Sequence, residues 1–149
     1  MEVRDMNTGY LIQLSAKLMK NNLQKRLDEE NFTVSQLAVI KDLQMQQESG
    51  APLERFTAVS IAERLDMDKP TVSGIINRLV EKGFVEKLSH PTDKRAQVIA
   101  LTNESVVILP KLEQVSNETI EASLKGFSDI EKDKLNSYLI RLISNLRGD

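Results

Sequence analysis

The feature that most restricts how this 149-residue chain folds is the stretch 57–102, TAVSIAERLDMDKPTVSGIINRLVEKGFVEKLSHPTDKRAQVIALT. It predicts helix, tight turn, helix, then two strands joined by a basic loop. In the first helix Ile61, Ala62 and Leu65 form an apolar stripe at helical spacing. Asp66, Met67 and Asp68 supply the turn, and the Asp68 carboxylate is suited to accept from the amide of Thr71 as an N-cap. Pro70 falls in the first turn of the second helix, where a missing N–H removes no bond. Val72, Ile75, Ile76 and Leu79 then bury one face, and Gly83 ends the helix in the left-handed conformation. The outer face keeps Pro70, Thr71, Ser73, Gly74, Asn77 and Arg78, all small, hydrogen-bonding or cationic. Such a second helix suits a DNA groove.

Beyond Gly83 the period changes from helix to strand. Phe84–Ser89 and Ala96–Leu101 read as a hairpin whose loop, HPTDKR over residues 90–95, has Pro91 and Asp93 as turn formers and Lys94 and Arg95 at its tip. A cationic hairpin behind a recognition helix is a winged helix. The run DKR followed by a strand and LT, after LVEKGFVEK, resembles the MarR (multiple-antibiotic-resistance regulator) family of transcription factors. The resemblance is specific over residues 57–102 and extends more weakly, through length and helix order, along the whole chain. It implies a homodimer with a winged helix in each half, released from DNA by small ligands. It also matches Arg95 to the wing arginine that enters the minor groove and Asp93 to the aspartate that orients it. Gly74 departs from the arginine or other polar residue frequent at its position, which weakens direct readout there but lets the backbone approach closely.

The flanking segments set the rest of the fold class. Residues 4–30 predict a long helix with Leu11, Leu14, Leu18, Leu23 and Leu27 in one stripe. Thr33 and Gln36 form a capping-box pair that restarts a helix, with Leu37, Ala38, Ile40 and Leu43 inward. ESGAPLERF, residues 48–56, is a loop with room for a short strand over Leu53–Phe56. Thr102 is placed to cap a fifth helix that Pro110 should kink, and Gly126 to stop it. Ser128 and Glu131 then open a last helix carrying Leu135, Tyr138, Leu139, Leu142, Ile143 and Leu146. The expected fold is mainly α with a small β-hairpin wing. Residues 33–102 form the winged helix-turn-helix, and residues 1–30 and 103–149 supply dimerisation helices within one domain. The terminal stripes carry more apolar surface than one winged helix covers; either a second copy covers them or they close a core within one chain.

Composition narrows the chemistry. There is no cysteine and one histidine, so disulfides, thiolate metal sites and thiol redox switching are excluded, and neither a metal nor a cofactor is expected. Aromatic residues make up only 4%, which calls for an aliphatic, mostly helical core. No apolar run reaches membrane-spanning length and no secretory signal opens the sequence, so a cytoplasmic protein without membrane contact is expected. His90 adjoins the wing proline, and the carboxylates are scattered on amphipathic helices, so no catalytic constellation emerges and no enzyme is expected. The overall charge is −2, yet residues 69–97 carry a net +3. Either these are ordinary solvated charges or they form a reading head for double-stranded DNA.

On the second reading the site residues take separate roles. Thr71, Ser73 and Asn77 offer short hydrogen bonds to base edges or phosphates from the front of the helix. Arg78 reaches a base or a phosphate, or pairs with an acidic neighbour. Lys69 adds charge beside Pro70, Lys94 pairs with phosphate, and the amides near Ser60 offer a helix N-terminus to another phosphate. The resemblance further implies a crevice between the winged helix and the dimerisation helices, open to small aromatic or amphipathic acids; Tyr10, Leu14 and Met19 are its candidate lining, or plain core. The leading function is a ligand-responsive repressor acting as a homodimer on a pseudo-palindromic operator. The alternative is a winged-helix module that binds a protein partner without DNA affinity.

Overall fold

The computed structural model describes residues 2–149. Six helices and one hairpin follow in order: α1 (Thr8–Asp28), α2 (Val34–Glu48), α3 (Ala58–Leu65), α4 (Lys69–Glu81), β1 (Val85–Ser89), β2 (Gln97–Leu101), α5 (Asn103–Ser123) and α6 (Asp129–Arg147). The class is the expected one, mainly helical with a two-stranded wing.

Local chemistry decides the boundaries. The first helix begins at Thr8 rather than residue 4, because the Asn7 side chain accepts from the Tyr10 amide (3.1 Å) and so starts the helix there. Two capping boxes form as expected, Thr33 with Gln36 and Ser128 with Glu131. The Asp68 cap on Thr71 and the left-handed Gly83 (φ +82°) are also present. Asp66 turns the chain between α3 and α4 in the left-handed region (φ +53°), which a short polar side chain tolerates.

Two expectations are corrected. Leu53–Phe56 is a 3-10 turn packed beside β2, not a strand, and among the described residues the sheet has two strands. Thr102 occupies the N-cap position of α5 but does not cap it; its hydroxyl donates to the Gly83 carbonyl (2.6 Å), tying the hairpin base to the end of α4. α5 is continuous from Asn103 to Ser123, with Pro110 inside it. The hairpin pairs Val85 with Leu101, Lys87 with Ile99 and Ser89 with Gln97 in antiparallel register.

The core lies between α2, α3, α4, the hairpin base and the middle of α5. Leu27, Ile40, Leu43, Ile61, Ile76, Leu79 and Leu112 are its fully buried large side chains. In α2 Val39 is fully buried while Ala38 is only half-buried, so the inward face is rotated slightly from the expected one. Arg64 of α3 makes a bidentate pair with Asp42 of α2 (2.9 and 2.7 Å) and donates to the Arg55 carbonyl (2.6 Å). That fork locks the helix-turn-helix and the 3-10 turn onto α2. The terminal helices pack differently. Of α1 only Leu27 is buried, and no residue of α6 is.

Candidate nucleic-acid interface

α4 presents its outer face to solvent as a crest with two flanks. Pro70, Gly74 and Asn77, at i, i+4 and i+7, form the crest, and all three are exposed. A β-carbon built on Gly74 meets nothing within 4 Å, so the missing side chain leaves a notch in the crest. On one flank a cleft of about 480 Å³ separates α4 from the wing. Lys69, Ser73, Lys87, Lys94 and Arg95 line it, together with Thr57, Ala58 and Val59 at the start of α3. Thr71 and Arg78 lie on the other flank, beside Thr33 and Gln36 at the start of α2.

The structure therefore brings Lys69, Ser73, Lys94 and Arg95 into one cationic cleft and sets Thr71 and Arg78 apart from it. The Arg95 side chain is 96% exposed and leans on Asp93 (Nε to Oδ1, 3.7 Å). The same Asp93 oxygen accepts the Arg95 backbone amide (3.0 Å), so the aspartate holds the root of the arginine as well as its head. The wing turn is organised by His90. Its Nδ1 accepts the amides of Thr92 (3.2 Å) and Asp93 (3.1 Å), which leaves the proton on Nε2, facing Glu54 Oε1 (3.1 Å). Glu54 is held below the usual carboxylate range, first by its own backbone amide and then by His90.

Several candidate residues carry commitments that sequence did not reveal. The Ser60 amide is taken by the Thr57 hydroxyl (3.3 Å) and its own hydroxyl donates to the Glu54 carbonyl (2.7 Å), so the neighbouring amides, not its own, are the ones open to a phosphate. The Thr71 hydroxyl donates to Asp68 Oδ2 (2.8 Å), and its amide to Oδ1 (2.8 Å). These two bonds, the amide first, hold the Asp68 carboxyl below its ordinary value. Lys82, counted in the positive segment, turns away to the Asn31 carbonyl and lies over the Phe32 ring (4.7 Å to its centroid). Lys87 was not singled out at all. It stands on the hairpin face turned toward α4 and donates to Asn77 Oδ1 (2.5 Å). The strand alternation that puts Val85 and Lys87 on one face of the hairpin and Glu86 on the other was the available signal.

The candidate effector residues are not gathered into a pocket within one protomer. Tyr10 and Met19 are exposed and Leu14 is half-buried. A cavity of about 530 Å³ does separate α2, β2 and α5, but Gln44, Gln47, Leu101, Val106, Leu109, Pro110 and Glu113 line it, and none of the three expected residues does.

A helix-turn-helix with a basic hairpin packed behind it defines the winged-helix class of transcriptional regulators. Within that class, the model of the MarR family matches residues 51–96 of the chain. The chain is 25% identical over 136 residues to the HTH-type transcriptional regulator SarZ of Staphylococcus haemolyticus, covering 91% of this chain and 86% of that protein. It is 32% identical over 92 residues to the HTH-type transcriptional repressor YetL of Bacillus subtilis, covering 62% of this chain and about half (55%) of the relative. A crystal structure of the Staphylococcus aureus MepR–DNA complex superposes with a TM-score of 0.82, at 21% identity, over 94% of this chain and 98% of that one, which establishes the shared fold. Both sequence relatives are named for transcriptional control. No helix of the described residues is long and apolar enough to cross a membrane.

Proposed function

We propose that the protein is a homodimeric repressor that binds a pseudo-palindromic stretch of double-stranded DNA and leaves it when a small effector binds. The observation that carries this reading is the cleft between α4 and the wing. Four cations from three separate elements (Lys69, Lys87, Lys94 and Arg95) converge on it, beside a helix whose outer face is exposed and free of bulky apolar groups. That arrangement fits a major groove against α4 and a minor groove or phosphate against the wing. The resemblance of the fold to a protein solved on DNA supports the same docking.

The dimer is supported by the apolar side chains that α1 and α6 leave in water. Tyr10, Leu18, Ile130, Tyr138, Ile140 and Leu146 are each more than half exposed in the single chain. Two copies joined through these helices would present two α4 helices related by a two-fold axis, which matches a palindromic site. The effector part of the reading is supported by the cavity between α2, β2 and α5, which lies between the winged helix and a terminal helix. The test is a binding titration of the purified protein with duplex from upstream of its own gene and with a scrambled duplex of equal length, at several salt concentrations. Saturable binding that favours the upstream duplex, with affinity falling as salt rises, is expected. Equal absence of binding to both duplexes, with retained binding to a protein partner, would establish the interaction-module alternative.

A further inference from the structure

We propose that Lys87 and Asn77 act as one donor-only unit that reads a guanine edge in each half-site; the inference rests on the duplex-DNA reading above. Of the crest residues Pro70, Gly74 and Asn77, proline and glycine have no side-chain hydrogen-bonding group, so Asn77 is the one that can touch a base edge from the crest. An asparagine amide ordinarily offers an acceptor and a donor side by side, which is the pattern that pairs with adenine N6 and N7. Here the acceptor is taken. The Lys87 ammonium sits 2.5 Å from Asn77 Oδ1, and because lysine can only donate, that contact also settles which end of the amide is oxygen. The Nδ2 amide protons therefore face away from Lys87, and the ammonium keeps two further donors of its own.

A surface that only donates is complementary to a base that only accepts in the major groove. Guanine, with N7 and O6, presents two acceptors together, whereas cytosine presents a donor there, adenine one of each, and thymine a single acceptor beside its methyl group. The unit also spans two elements, α4 and β1, so the wing strand sets the chemistry of the recognition helix. Lys87 is thus a positioning residue for Asn77, and a specificity determinant beyond its charge. Lys87→Met removes the ammonium and releases Oδ1, which restores the adenine-type pattern to Asn77. Lys87→Arg keeps a donor in place.

The test is selection from a library of randomised duplexes by the full-length protein, with sequencing of the bound fraction. Wild type should enrich a motif with guanine at one position per half-site. Lys87→Met should move that position alone toward adenine, with a swing in the guanine-to-adenine ratio of roughly tenfold. Lys87→Arg should retain guanine, and Asn77→Ala should flatten the same position. Circular dichroism of Lys87→Met checks its fold, since the residue is exposed on its strand. Base frequencies unchanged in Lys87→Met, or unchanged in Asn77→Ala, would overturn the proposal while leaving DNA binding intact. Wild type that binds all duplexes alike would overturn it in the same way, and wild type that retains no duplex would remove the DNA reading itself.

Discussion

At the scale of single residues, the ion pair of Asp42 and Arg64 shows what side-chain geometry adds to a periodic pattern. Both side chains are largely buried, 9% and 17% exposed, and the two hydrogen bonds between them hold α3 on α2. Asp42→Ala would leave a buried guanidinium without its partner, a change that should cost about 3 kcal/mol; chemical denaturation of the variant against wild type measures it. Nothing in the spacing of α2 or α3 marks this pair, because the two residues lie in different helices and each reads as an ordinary surface charge. The outer residues of α4 were legible as a set, since the buried face defines its complement. Their individual commitments were not. Thr71 spends its hydroxyl proton on Asp68, so only its lone pairs and methyl group remain for a base. Thr71→Ala should therefore reduce the preference for operator over scrambled duplex by about 1 kcal/mol, with the salt dependence unchanged. Arg95 stands exposed at the cleft rim, leaning on Asp93, and Arg95→Ala should weaken binding to both duplexes and make the slope of log K against log salt shallower by about one unit. Titration at several salt concentrations separates the two, and an Arg95→Ala protein with the full slope would place the wing outside the groove.

At the scale of elements, the helices were the most readable parts and the loops the least. Caps gave α2, α4 and α6 their starts, and Gly83 the end of α4, because those signals act within four residues. The 3-10 turn at Leu53–Phe56 escaped because its conformation depends on what packs on it, including β2 and the Ser60 hydroxyl on the Glu54 carbonyl. Thr102 escaped for the same reason, its hydroxyl being drawn to the Gly83 carbonyl across 19 residues of chain. The wing turn depends on His90, which accepts two backbone amides at one nitrogen. His90→Ala should expose the amides of Thr92 and Asp93, and hydrogen exchange should lose protection at those two positions while α4 keeps its own. The start of α4 carries a pH dependence of known sign. Asp68 is held below its ordinary value of 3.8 by the Thr71 amide and hydroxyl, so its contribution is fully present above that value and is lost as pH falls through the lower folded one. Asparagine caps without titrating. The melting temperature of wild type relative to Asp68→Asn should accordingly fall as pH drops below the ordinary aspartate range, and a difference that stays constant with pH would show that the carboxylate charge is not what caps the helix.

For the whole molecule, the question is where the terminal helices place their apolar faces. The stripes of α1 and α6 were visible in sequence, but a stripe says that a face is buried and not what buries it. Within one chain Leu11 and Leu18 of α1 remain exposed, as do Leu139, Ile143 and Leu146 of α6. The contacts that tie α1 to the rest run chiefly through α5, including Arg26 with Glu118 (2.5 Å), and α6 returns to the helix-turn-helix at its far end through Arg147 and Asp66 (2.6 Å). A second copy laid along these helices would cover the exposed residues. It would also hold the two α4 helices at a set separation, so that loss of the dimer is loss of operator affinity. Leu139 lies mid-helix on α6 and is 41% exposed in the single chain. Aspartate there would have to lose its hydration at the interface without a partner, at a cost of several kcal/mol. Each protomer's core would be untouched, because no α6 residue belongs to it. Leu139→Asp should then sediment as a folded monomer, retain its helical circular dichroism, and bind a half-site duplex about as well as the full palindrome. Wild-type protein that sediments as a monomer at micromolar concentration, and still prefers the palindrome, would mean that DNA rather than the helices brings the two copies together.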